Sequence, residues 1–403
     1  MSQETVIARP RYIEKIRPYI GKKLIKAIIG QRRTGKSYFL LQVAQLLREE
    51  YPDWLVLHID LERIEWRHLR TADDLIEEVK IRTKTSSAPK VALLLDEIQE
   101  IEGFEIAVRG FAADDTFDVY ISGSNAEMLS GEIATLFAGR AVNIEIHTLS
   151  YDEFLIFHGL DDSDASLDTY LRYGGLPFLA RLAPEDHVMR EYLQGILDSV
   201  VLKDIVQRHK IRNPGLLERM LEFIADNVGS PTSARNIARY LKNLHIDASA
   251  QSVLDYLGFL CRSFAIVRCP IKDVSGKKIL EGISKYYFED LGLREVIRGN
   301  TTNDINRIVE NAVFTRLAID GWSVSTGRVG DREIDFCCER GSERCFVQAA
   351  YLVPDPAAHQ REFGVLYSLE GGWPRYVISM DPVVRDWQGI HHLRLRDFLR
   401  DGL

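Results

Sequence analysis

Short apolar runs alternate with amphipathic segments through the first 150 residues of the chain. Residues 24–29 (LIKAII), 54–59 (WLVLHI), 91–95 (VALLL), 119–121 and 142–146 are apolar enough to form buried strands. Between the first two, Leu40, Val43 and Leu47 recur at helical spacing, which predicts a helix over about 36–50. Strands and helices in this alternation call for a parallel sheet with helices packed on it.

From about 150 to 212 the period is helical, broken at Gly174-Gly175-Leu176-Pro177, a turn between helices. Asn213-Pro214-Gly215 marks a boundary. Three helical segments follow, near 216–227, 233–243 and 248–264, and then two strand-like runs at 265–271 and 278–288. Three helices and a β-ribbon describe a winged helix. In its third helix, Val253, Leu254, Leu257 and Leu260 form the expected buried stripe. The last hundred residues return to mixed character, with helices near 306–320 and 356–369 and strands near 323–327, 333–338, 344–351 and 375–380. The fold class is therefore α/β and multi-domain, with divisions expected at 1–149, 150–213, 214–298 and 299–403.

Composition changes this picture little. At 403 residues the chain exceeds one ordinary core, and 46% hydrophobic with 27% charged residues is ordinary for a soluble protein. No apolar run approaches the roughly 20 residues of a membrane helix, and the start (MSQETVIARPR) lacks a secretory apolar core. A cytoplasmic protein with no membrane partner is expected. The five cysteines, Cys261, Cys269, Cys337, Cys338 and Cys345, include no C-x-x-C pair, so buried reduced thiols are expected. The net charge of −8 gives no global attraction to nucleic acid. Between Pro231 and Lys285, however, nine Lys/Arg face four Asp/Glu, a local basic excess.

The chemistry concentrates after the first strand. Gly30, Gln31, Arg32, Arg33, Thr34, Gly35, Lys36 and Ser37 match the P-loop pattern at every fixed position. This segment closes a buried strand and opens a helix, so backbone amides and the helix N-terminus face an anion. Lys36 is placed for the β/γ-phosphates of ATP, and the Ser37 hydroxyl for Mg²⁺. Asp96 and Glu97 end the run VALLL: the aspartate suits Mg²⁺ through its water shell, and the glutamate suits polarising a water. Ser124 or Asn125, after the next strand, would touch the γ-phosphate, or else cap a helix. Arg140 precedes the last sheet strand. It would enter a neighbouring subunit's site, or else lie solvated at the surface.

Together these motifs resemble a group of prokaryotic AAA+-like P-loop ATPases with a winged helix and a C-terminal domain related to restriction endonucleases. GQRRTGKS, LLLDEIQEIEGFE, ISGSNAEMLS, LFAGR and YGGLPFL carry the resemblance. So do KDI at 203–205, KYYFED at 285–290, and REIDF followed by VQAAY, in an order that covers nearly the whole chain. The resemblance implies an additional-strand sheet order, Glu97 as catalytic base, Asn125 as sensor and Arg140 as arginine finger. It also implies an endonuclease-like core with Glu310, Asp335 and Gln348. Active nucleases of that kind carry a lysine two residues after the last of these. Here that position is Ala350, so a retained fold without cleavage is expected.

In the winged-helix reading, Ser249, Gln251 and Ser252 meet a groove of double-stranded DNA. Arg235, Arg239 and Lys242, with Lys277 and Lys278 on the wing, contact its phosphates. Against this, such domains also serve protein contacts, and Asp255 repels phosphate. The expected activity is ATP hydrolysis coupled to movement or remodelling on duplex DNA. The expected assembly is a homo-oligomeric ring, six-membered by analogy. The competing readings are a nucleotide-gated switch for a protein partner and an ATP-regulated nuclease.

Overall fold

The computed structural model describes residues 7–124, 137, 139–198, 203–211, 213–273, 278–299 and 304–403. The chain forms two compact units. One is Met1–His147 with Arg262–Phe264, and the other is Thr148–Cys261 with Ala265–Leu403. Among the described residues, no helix is long and apolar enough to cross a membrane.

The first unit holds five parallel strands: β1 (Ile25–Ile29), β2 (Leu55–Asp60), β3 (Val91–Asp96), β4 (Phe117–Gly123) and β5 (Ala141–Glu145). Their order is β2-β3-β4-β1-β5, so β4 separates the strand before the P-loop from the strand ending in Asp96. This is the additional-strand order. Buried β3 reads as an apolar run up to Asp96, and β1 as one interrupted at Lys26, because both faces are covered. Helices α1 (Pro10–Ile16) and α2 (Lys36–Glu50) lie on one face, where Phe39, Leu40, Val43 and Leu47 join Tyr12, Ile28, Leu94 and Tyr120. Helices α3 (Ala72–Thr83) and α4 (Phe104–Ala113) cover the other, packing Leu75, Val79, Ala107 and Val108 on Leu93, Leu95 and Ile121. A fully buried Lys26–Asp118 pair joins β1 to β4. Lys26 also donates to Lys22 O, and Asp118 also accepts from Gly21 N and the Tyr120 hydroxyl, so the buried charges are paired.

The second unit begins with four helices: α5 (Tyr151–His158), α6 (Asp164–Tyr173), α7 (Asp186–Ile196) and α8 (Lys203–Arg208). Next come α9 (Pro214–Asp226), α10 (Ala234–Asn243) and α11 (Ala250–Arg262), then the hairpin β6 (Ile266–Asp273) and β7 (Lys278–Phe288). The rest is α12 (Leu291–Arg298), α13 (Ile305–Ile319), β8 (Ser323–Val329), β9 (Arg332–Arg340), β10 (Glu343–Ala350), α14 (Pro356–Tyr367), β11 (Arg375–Ser379), β12 (His391–Arg394) and α15 (Leu395–Asp401).

Two features here depart from the local sequence pattern. Helix α11 buries Val253, Leu257 and Leu260, but Leu254 is 50% exposed, so the apolar stripe is narrower than its spacing predicts. The hairpin expected as a wing is hydrogen-bonded into a larger sheet. Ile271, Lys272 and Asp273 pair in parallel with Thr326, Gly327 and Arg328, which makes one seven-stranded sheet, β12-β11-β10-β9-β8-β6-β7. Segments 150–213, 214–298 and 299–403 all contribute to one apolar core. The turn Gly174-Gly175 is built into it. A Cβ on Gly175 would stand 2.3 Å from Leu149 O, and its N–H donates to the buried Asp290 carboxylate at 2.8 Å. Asp290 also caps α12 through Gly292 N and Leu293 N. Cys269, Cys337, Cys338 and Cys345 are buried free thiols, and Cys261 is half-buried.

Candidate functional site

The phosphate loop leaves β1 at Gly30, whose φ of +145° and setting both exclude a side chain. A Cβ there would lie 2.2 Å from Ile146 O. Arg33 and Gly35 also take positive φ, 70° and 96°, bending the loop so that α2 starts at Lys36. The Thr34 hydroxyl donates to Gln31 O at 2.9 Å and closes the loop on itself. The Lys36 ammonium is buried inside this ring and donates to Gly30 O at 3.1 Å and Gln31 O at 2.9 Å. Burial lowers its pKa, while Glu97 and Asp96 oppose that shift. The cation therefore sits in the cradle where the pattern places the β/γ-phosphates, held by weaker carbonyl partners that a phosphate would replace.

Asp96 and Glu97 follow at the C-terminal end of β3. Ser122, on the intervening β4, donates to Asp96 Oδ1 and accepts the Glu97 N–H at 3.0 Å. Asp96 Oδ2 is buried with no hydrogen-bond partner. Burial is the main cause that pushes the Asp96 carboxyl up to about 6, against the lowering effects of the Ser122 and Ser37 hydroxyls. Glu97 has φ +53° and ψ +47°, and its carboxylate accepts from the Gln99 amide. Ser124 accepts from Arg32 Nε at 3.2 Å. The Ser37 hydroxyl, an orphaned buried carboxylate oxygen and the phosphates of a nucleotide form a donor set suited to Mg²⁺. Ser37 and Asp96 are the residues that would hold it. Among the described residues there is no cluster of three or more His, Cys, Asp or Glu that could bind a metal alone.

One pH effect follows. Asp96 ionises near 3.8 when unperturbed and near 6 in the folded chain, so ionising it costs stability as pH rises across that interval. A divalent cation favours the ionised form. The Mg²⁺-induced rise in Tm, measured by differential scanning fluorimetry with ADP present, should be larger at pH 7.5 than at pH 5. Asp96→Asn should reduce that difference to the part that comes from protonation of the terminal phosphate of ADP; an equal rise at both pH values in wild type would contradict the assignment.

Asn125 lies outside the described residues. Arg140 is exposed, and its carbonyl accepts from Ile25 N at 2.8 Å at the start of β1, whereas the P-loop follows that strand's end. With a strand rise of about 3.3 Å per residue, the two levels are roughly 13 Å apart along the strand. Arg140 therefore lies at the opposite end of the strands from its own phosphate loop. Arg235, Arg239 and Lys242 are exposed along one face of α10. Ser249 caps α11 through Ser252 N at 3.0 Å, and Gln251 donates to Asp255 at 3.0 Å, so these side chains are engaged within their own helix. Lys277 lies outside the described residues, as does the side chain of Lys278.

Two cations escaped the motif-based reading. Arg9, before α1, is buried against the phosphate loop. Lys285 on β7 is 1% exposed among carboxylates of the second unit. Its ammonium lies 2.9 Å from Glu310, 2.8 Å from Glu333 and 3.8 Å from Asp335. Burial lowers its pKa, but Glu310, Asp335 and Glu333 together raise it. The Tyr287 hydroxyl donates to Glu310 at 2.7 Å, and Gln348 accepts from Asp335 N at 3.2 Å. The structure thus brings Glu310, Asp335 and Gln348 together, with a lysine that arrives from another strand.

Residues 22–155 match the family described as AAA domain, and residues 164–304 match a domain of unknown function (DUF8612). An uncharacterized protein of Haemophilus influenzae is 32% identical over 357 residues, covering 87% of this chain and 88% of that protein. The chain belongs to the same family as this protein. An uncharacterized protein of Methanocaldococcus jannaschii is 29% identical over 310 residues, covering 74% of this chain and 67% of its own. Among solved structures, AMPPCP-bound DnaA from Aquifex aeolicus aligns with a TM-score of 0.30 and 14% identity, over 61% of this chain and 84% of that one. The AAA-domain match covers most of the first unit, and the loop at Gly30–Ser37 with Asp96 and Glu97 lies inside it.

Proposed function

We propose that this protein is a Mg²⁺-dependent cytoplasmic ATPase that works as a homo-oligomer on double-stranded DNA. The observation that carries the hydrolytic part is the pairing of a P-loop on β1 with Asp96 and Glu97 at the end of β3, bridged by Ser122 on β4. Loop amides and Lys36 hold the phosphates, and Glu97 orients and polarises the attacking water. When bound, Mg²⁺ supplies neutralising charge to the phosphates.

Arg140 supports the oligomeric part. Lying at the opposite end of the strands from its own phosphate loop, it serves hydrolysis by reaching a neighbouring chain's nucleotide, as head-to-tail packing allows. The exposed basic row of Arg235, Arg239 and Lys242 supports the DNA part, since three cations on one helix face match a phosphate backbone. In this reading α10 carries the contact, and the winged-helix segment acts as a DNA-facing module of the second unit.

The test is the rate of phosphate release with and without duplex DNA at two salt concentrations. Duplex DNA should raise turnover, with the effect falling as salt rises. A triple Arg235→Ala, Arg239→Ala, Lys242→Ala variant should lose the stimulation and keep basal turnover. Turnover indifferent to DNA would overturn the DNA part. Binding of ATP without turnover would favour a nucleotide-gated switch.

A further inference from the structure

We infer that Arg9, thirteen residues before the matched AAA domain begins, is a positioning residue for the phosphate loop. The inference rests on the nucleotide-binding reading of that loop and names a residue that completes it.

The Arg9 side chain is buried, at 3% exposure, although it belongs to the extended segment before α1. Its Nη1 donates to Thr34 O at 3.1 Å and to His147 O at 3.0 Å. Its Nη2 donates to the Tyr12 hydroxyl at 3.3 Å, and the guanidinium lies 4.5 Å from the Tyr12 ring centroid. The Tyr12 hydroxyl in turn accepts from His147 N at 3.1 Å. Gln42 on α2 clamps the same segment, accepting from Arg9 N at 3.1 Å and donating to Ile7 O at 3.0 Å. The arginine is therefore fixed from both ends before it reaches the loop.

The peptide it grips is the one that matters for an anion. In a trans peptide the carbonyl and the following N–H point in opposite directions. Holding Thr34 O outward therefore aims the Gly35 N–H to the other side of the loop. Gly35, at φ +96°, has the freedom to rotate that plane, and it directly precedes Lys36. The Arg9 donor on Thr34 O favours one of the two orientations open to this peptide. Arg9 makes the choice ahead of binding, so the nucleotide does not have to. It also holds the carbonyl of His147, two residues past the end of β5 and next to Ile146, whose own carbonyl crowds Gly30. Both ends of the loop are thereby referenced to one side chain.

The experiment compares wild type, Arg9→Ala, Arg9→Lys and Tyr12→Phe by ADP and ATP titration calorimetry, with steady-state turnover and Tm measured alongside. One charge-assisted N–H contact to phosphate corresponds to roughly a ten- to hundredfold change in affinity. Arg9→Ala should weaken ADP and ATP by that factor, with KM rising and kcat changing little. Arg9→Lys should recover part of the loss, because an ammonium still donates to Thr34 O. Tyr12→Phe, which keeps the ring but loosens the guanidinium, should give an intermediate loss. Unchanged ADP affinity in folded Arg9→Ala or Tyr12→Phe, or a lower Tm with intact affinity, would overturn the inference. Failure of wild type to bind nucleotide would instead overturn the functional reading beneath it.

Discussion

Glu97→Gln should bind ATP with wild-type affinity and hydrolyse it roughly a hundred to ten thousand times more slowly. The substitution keeps the size of the side chain and its contact with the Gln99 amide but removes the charge proposed to polarise water. Neighbouring Asp96, Ser37 and Lys36 are untouched, so phosphate and Mg²⁺ binding should survive. The Glu97 backbone is held in the left-handed region by the Ser122 hydroxyl on its N–H, which a side-chain change does not disturb. The check is nucleotide content after gel filtration together with phosphate release. Retained ATP with little release is the expected pattern. Release at the wild-type rate would remove Glu97 from the chemistry.

The second large effect is structural and lies in the other unit. Lys285→Met should lower Tm by about 10 °C, from a loss of about 3–5 kcal/mol. Methionine fills the volume but leaves the carboxylates of Glu310 and buried Asp335 without their cation. Asp335 is already pushed well above the usual carboxylate range by burial and by Glu310, with Lys285 opposing. The lysine's folded pKa is raised, so its contribution is fully present below about 10.5, the unfolded value. In the variant, lower pH favours the protonated form of the abandoned Asp335 carboxyl, so the deficit should be smaller at pH 5.5 than at pH 8. A thermal melt at both pH values decides it. A Tm within 2 °C of wild type would mean that the cluster does not depend on this ammonium.

The P-loop and the paired acids at the end of β3 are legible in the sequence because their signals are local. Gly30–Ser37 sits between an apolar run and a helical repeat, and Asp96-Glu97 ends another apolar run, so spacing alone places both on strand ends. Sheet order was accessible through resemblance, since nothing in β4's composition announces that it inserts between β1 and β3. What escaped depends on contacts distant in sequence. Arg9 is one cation in a terminal segment, and its partners Thr34 and His147 are 25 and 138 residues away. Lys285 was visible within KYYFED, but no periodicity reveals that it meets Glu310 and Asp335. The pairing of β6 with β8 links residues more than 50 apart in the chain, so the hairpin reads locally as a free wing. Leu254 fits the helical stripe by spacing yet is half exposed, because the partner surface on α11 is narrower than the stripe.

The most direct measurement is phosphate release from ATP by the purified full chain, with Mg²⁺ and with EDTA, using Lys36→Ala as the blank. Mg²⁺-dependent release well above that blank is the result the nucleotide site predicts. Release that matches the blank, or that continues unchanged in EDTA, would contradict it.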